Sequence, residues 1–148
     1  MFREQKWELV YGVKTESGED IRSCRINGED RKARNLEICK ERGYRVVSCK
    51  KLYPFSTERN QHNFMLISNI CSNRMHDMLM GDLEYNEVEF SRLAELKDKA
   101  DEFFCLPLPV AWMTWEKHEE AKELAMMAIN HRMNVCIEHG RPDLVQYC

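Results

Sequence analysis

The hydrophobic period of this chain changes once, near Pro54, and that change limits its architecture more than any single motif. Before Pro54 apolar residues recur at every second position, the period of a half-buried strand. After it they recur at every third or fourth position, the period of an amphipathic helix.

In "WELVYGVK" Trp7, Leu9, Tyr11 and Val13 fall on one side of a strand. Gly18 in "TESGED" marks a turn, and "DIRSCRI" returns as the second strand of a hairpin. Asn27 and Gly28 end that strand, and a helix is predicted from Asp30 to Arg42. Its apolar stripe is narrow: Ala33, Leu36 and Cys39. Gly43 stands where a C-terminal glycine cap belongs. "YRVVSCKKLY" reads as a third strand, stopped by Pro54.

Ser56 is placed to cap a helix reaching about Leu79, with Phe64, Ile67, Cys71, Met75 and Met78 on its inner face. Gly81 ends it. Asn86 followed by Glu89 is an N-cap with an acid at the capping-box position. The helix it starts is predicted to run through Phe90, Leu93, Leu96, Ala100 and Phe103 to Phe104. Pro107 and Pro109 exclude helix from "CLPLPVAW". Thr114 caps a last helix to about His139, Gly140 closes it, and Pro142 opens a short turn.

The expectation is an α+β fold, with a small, mostly antiparallel ββαβ sheet over residues 6–55 packed against three long C-terminal helices. A chain of 148 residues fits one domain and buries a core without staples. Charge divides it into two lobes. Residues 1–60 hold 14 Lys and Arg against 10 Asp and Glu, a net +4. Residues 61–148 hold 8 against 15, a net −7.

The overall net charge of −3 argues against a protein that coats nucleic acid without sequence preference. No apolar run reaches the roughly 18 residues of a membrane span, and "MFREQKWELV" lacks the apolar core of a signal peptide. A cytoplasmic protein is expected. Seven cysteines, odd in number and without a CxxC, do not form a disulfide framework in that compartment and read as small buried hydrophobes. Cys148, last in the sequence, is the expected reactive exception.

Catalytic signatures are missing. "HEEAKELAMMAINH" carries Lys122 where a zinc-protease helix needs its second histidine. The six glycines are solitary and form no phosphate loop. "GDLEYNEVEF" starts like a calcium loop, but Tyr85 and Val88 stand at ligand or turn positions. Cys136 and His139 share a helical face, and a zinc site there needs Cys148 to come back and join them. "ELAMMAINHRMN" reads as plain core. No metal, cofactor or catalytic residue is expected.

Two stretches remain as binding candidates. Asp30 to Lys51 carries eight Lys and Arg against three acids. Arg31, Arg34, Lys50 and Lys51 are predicted to line one basic edge, with Tyr53 as a stacking aromatic. In "LPLPVAWMTW" Met113 and Trp115 are the candidate interface residues, while Trp112 packs back as a buried hydrophobic staple. The function this supports is a non-enzymatic binding protein that docks on a macromolecule, most naturally a protein, or on a second copy of itself. The alternatives are a nucleic-acid module using the basic edge and a small Cys/His enzyme or metal protein. Short Cys- and Met-rich chains without a catalytic signature occur among phage and mobile-element accessory proteins that inhibit a host nuclease or sensor. That composition favours action by binding.

Overall fold

A computed structural model describes residues 5–148, so the first four residues of the stretch read for a signal peptide lie outside the described residues. The fold is α+β: a four-stranded antiparallel sheet, one helix within the sheet segment, and a helical C-terminal part. The elements are β1 (Lys6–Thr15), β2 (Gly18–Asn27), α1 (Glu29–Arg42), β3 (Arg45–Ser56), α2 (Thr57–Met80), α3 (Glu87–Phe104), β4 (Val110–Met113) and α4 (Trp115–Glu138). A 3-10 turn follows at Pro142–Tyr147. No described helix is long and apolar enough to cross a membrane.

The chain forms two compact units. The first is residues 1–55 with 112–118, and the second is 56–111 with 119–148. The first unit thus takes in the end of β4 and the start of α4.

Strand order is β2-β1-β3-β4. Leu9 sits at the centre of the first unit's core, opposite Cys24 on one side and Cys49 on the other. Trp7, Tyr11, Leu36 and Cys39 gather round it, as the alternation of β1 and the stripe of α1 require. Burying a side chain of Leu9's size contributes about 1.5–3 kcal/mol. Tyr11 stacks on Tyr44 with centroids 5.6 Å apart. Gly12, in mid-strand, has its reason in a cross-strand ion pair: a Cβ there would collide with the Glu19 carboxylate that Arg45 holds.

Three details depart from the sequence reading. Pro54 does not stop β3, which continues to Ser56. The described ladder with β1 reaches Leu52, two residues short of the proline, so the missing N–H of Pro54 costs that ladder no bond. Val47 forms a bulge, because Val10 faces Ser48 while Tyr11 faces Val46. The alternation therefore slips by one, and Arg45 does not share a face with Cys49 and Lys51 as simple counting gave. Ala33 is exposed and leaves the core to Leu36 and Cys39; Lys32 instead lays its ammonium 3.8 Å from the centroid of the Trp7 ring.

In the second unit α2 buries Phe64, Ile67, Cys71 and Met78, and α3 buries Ala100 and Phe103. Phe64 stacks on Phe103 at 5.5 Å. Asn86 caps α3 as expected, its side chain accepting the Glu89 N–H at 3.1 Å. Gly43 and Gly81 end α1 and α2 in the left-handed conformation, with φ of 70° and 83°. The Met-rich segment of α4 is core on one face only. Ala121, Leu124, Ala125 and Ala128 are buried, whereas Met126 and Met127 are exposed. A close-packed helix face takes the small residues and turns the methionines out. β4 escaped prediction because four residues after two prolines show no readable period.

Candidate functional site

Four of the seven predicted binding residues meet in the first unit, where β3 passes the start of α4. Lys50 and Lys51 lie on opposite faces of β3, opposite Glu8 and Trp7 respectively. Lys51 places its ammonium 5.6 Å from the Tyr53 ring centroid. Tyr53 meets Trp115 edge-on at 5.2 Å, and Trp115 stacks on His118 at 5.4 Å with rings within 6° of parallel. Phe55 closes the row, edge-on to His118 at 5.2 Å. Strand period 2 puts Lys51, Tyr53 and Phe55 on one side of β3, and helix period puts Trp115 and His118 one turn apart on α4.

The row grades from buried to open. Phe55 is buried, His118 and Tyr53 are half-buried, and Trp115 is 49% exposed. His118 Nδ1 is buried with no hydrogen-bond partner among the described groups, as is Trp7 Nε1. Glu116 reaches Lys50 at 3.7 Å. Its carboxyl is held below the ordinary range, first by a hydrogen bond from its own backbone amide at the helix start and then by Lys50.

The other predicted residues fall elsewhere. Met113 is 7% exposed and presents no surface. The alternation of β4 explains it, since Ala111 and Met113 are buried and Trp112 is half-open. Trp112 is thus less buried than a staple would be; the Lys6 ammonium sits 5.2 Å from its ring, and its carbonyl accepts from Arg25 at 3.1 Å. Arg31 and Arg34 are exposed on α1, and Arg34 has Glu37 at 3.7 Å.

The thiols divide by environment. Burial raises the pKa of Cys24, Cys49 and Cys71. Cys105, not Cys148, is the exposed cysteine. Cys148 does come back to Cys136, with Sγ atoms 3.8 Å apart, but no group of three ligating side chains able to hold a metal occurs among the described residues.

Sequence reasoning missed a second surface. Leu79, Met80, Leu83, Tyr85 and Val88 are all exposed where α2 gives way to α3. A cavity of about 340 Å³ opens there between Met78, Leu83, Tyr85 and Asn86, with the Arg74–Glu89 ion pair at its side. The acids of "GDLEYNEVEF" drew attention away from these apolar neighbours, although five large apolar residues in ten positions across a glycine was a readable signal.

Set against known proteins, the chain matches no family model, no curated protein and no solved structure.

Proposed function

We propose that the chain is a non-enzymatic binding protein of the cytoplasm that docks on a protein partner through Lys50, Lys51, Tyr53 and Trp115. One observation carries this reading: a half-exposed tryptophan is held on two rings, His118 and Tyr53, in a fixed geometry. A pre-ordered aromatic loses little conformational freedom on docking, and tryptophan is among the residues that dominate interface energies.

Local charge favours a protein over a nucleic acid. Lys50 already faces Glu116 and Arg34 faces Glu37, so a phosphate backbone brought to either cation meets a carboxylate as well. A protein surface offers a mixed set of charges and an apolar pocket for the indole. Inhibition of a host nuclease or sensor is the kind of action that binding alone delivers, and we include it in the proposal.

The test is capture of a partner from nuclease-treated lysate by the wild-type chain and by Lys50→Glu/Lys51→Glu, at low and high salt. The expected result is a protein that survives nuclease treatment and moderate salt and is lost with the double variant. Capture that disappears with nuclease, or falls by about 10³-fold or more between 50 and 200 mM salt, shows phosphate contacts and replaces this reading with the nucleic-acid one.

A further inference from the structure

Cys136, near the end of α4, and Cys148, just beyond the 3-10 turn, bring their sulfurs to 3.8 Å across 12 positions of sequence. Several restraints set that approach. Gly140, in the left-handed conformation, and the bond from Arg141 N–H to the Cys136 carbonyl at 2.8 Å reverse the chain after α4. The Arg141–Asp143 ion pair and Pro142 open the 3-10 turn. Arg132 then fastens its far end, donating to the Cys148 carbonyl at 3.3 Å and to Asn63 Oδ1 of α2 at 2.7 Å. Both thiols are half-buried, and both line a mostly apolar cavity of about 470 Å³ with Leu66, Val135, Leu144 and Tyr147.

The other thiols are placed differently, Cys39 being buried in the core around Leu9 with Cys24 and Cys49 packed against that core. Cys24 and Cys49 flank Leu9 on two different neighbours of β1, which keeps them about two strand spacings, or roughly 10 Å, apart. Cys71 is fully buried and Cys105 is exposed on its own helix end. From 3.8 Å, a bond of about 2.05 Å needs only a rotation of the two side chains and a small shift of the turn.

We propose that Cys136 and Cys148 form a reversible disulfide site, closed by a low-molecular-weight disulfide of the glutathione class, which latches the C-terminal turn onto α4. The thiolate of Cys148 attacks one sulfur of the small disulfide, forming a mixed disulfide and expelling one small thiolate. The Cys136 thiolate then attacks the Cys148 sulfur, forming the Cys136–Cys148 bond and expelling the second. Two protein thiols and one small disulfide become one protein disulfide and two small thiols, so the protein is oxidised by two electrons and the reagent is reduced by two. Burial, then the neighbouring Cys148 sulfur, raises the Cys136 thiol. A reducing compartment does not exclude such a bond, because cytosolic disulfides are characteristically transient and redox-sensing.

The test incubates the full reduced chain with oxidised glutathione and reads intact mass and disulfide-mapped peptides. The expected product has lost two hydrogens, links Cys136 to Cys148 in one peptide pair, and returns to the starting mass with dithiothreitol. Cys136→Ser should accumulate a glutathione adduct on Cys148, the trapped intermediate. Far-UV circular dichroism of both samples confirms that they stay folded. Two free thiols at equilibrium, stable adducts on both cysteines, or equal linkage to Cys71 or Cys105 would each overturn the proposal.

Discussion

Cys39 and Cys71 are buried while Cys105 lies open, and that contrast sets an order of reactivity. Alkylation of the native protein, mapped by mass spectrometry, should modify Cys105 first and leave Cys39 and Cys71 intact until denaturant is added. Burial raises the Cys71 thiol and removes the thiolate that would react, so accessibility and charge act in the same direction. Fast modification of Cys71 would show that the α2 core opens. At this scale the sequence was a fair guide to Trp115, which opens α4 and is the more exposed of the two tryptophans, as expected. It was a poor guide to Met113, since nothing in "VAWMTW" announced a strand whose alternate side chains are buried. Cys148 misled in the same way: its place at the end of the sequence suggested exposure, and the turn at Gly140 returns it to α4.

Elements were most legible where many residues repeat one period. The long helices α2, α3 and α4 lie where spacing, the Asn86 cap and the glycines after them put them. β4 and the bulge at Val47 were not legible, because each depends on a partner strand distant in sequence. What joins α2 to α3 is partly polar. Asp101 accepts from Ser68 Oγ of α2 at 2.6 Å and from Lys97 Nζ at 2.6 Å. These bonds, Lys97 first and Ser68 second, hold the Asp101 carboxyl below its ordinary value. A carboxyl lowered on folding contributes stability above its unfolded pKa and loses that contribution as pH falls through the folded value. Asp101→Asn should therefore cost about 1 kcal/mol near neutral pH, a modest figure because the pair is partly solvated. In urea melts the difference from wild type should shrink as pH drops below the ordinary carboxylate range. A difference that stays constant with pH would assign it to packing instead.

Across the whole molecule, charge composition separated a basic first segment from an acidic remainder but did not locate a surface. The candidate surface arose where two stretches, Lys50–Tyr53 and Trp115, met in space, and no spacing rule links residues sixty positions apart. Eight basic residues before Tyr53 promised a continuous cationic edge, yet carboxylates from Glu37 and Glu116 break it up. The exposed apolar residues from Leu79 to Val88 form a separate surface in the second unit and provide an internal control. The most direct measurement is therefore the affinity of the captured partner for Trp115→Ala and for Val88→Ala, each with its melting temperature. If the Tyr53–Trp115 row is the docking surface, Trp115→Ala weakens binding by about 2 kcal/mol or more and melts within a few degrees of wild type, while Val88→Ala binds as wild type does. Full affinity in Trp115→Ala, with the loss appearing in Val88→Ala, would contradict the assignment and move the interface to the junction of α2 and α3.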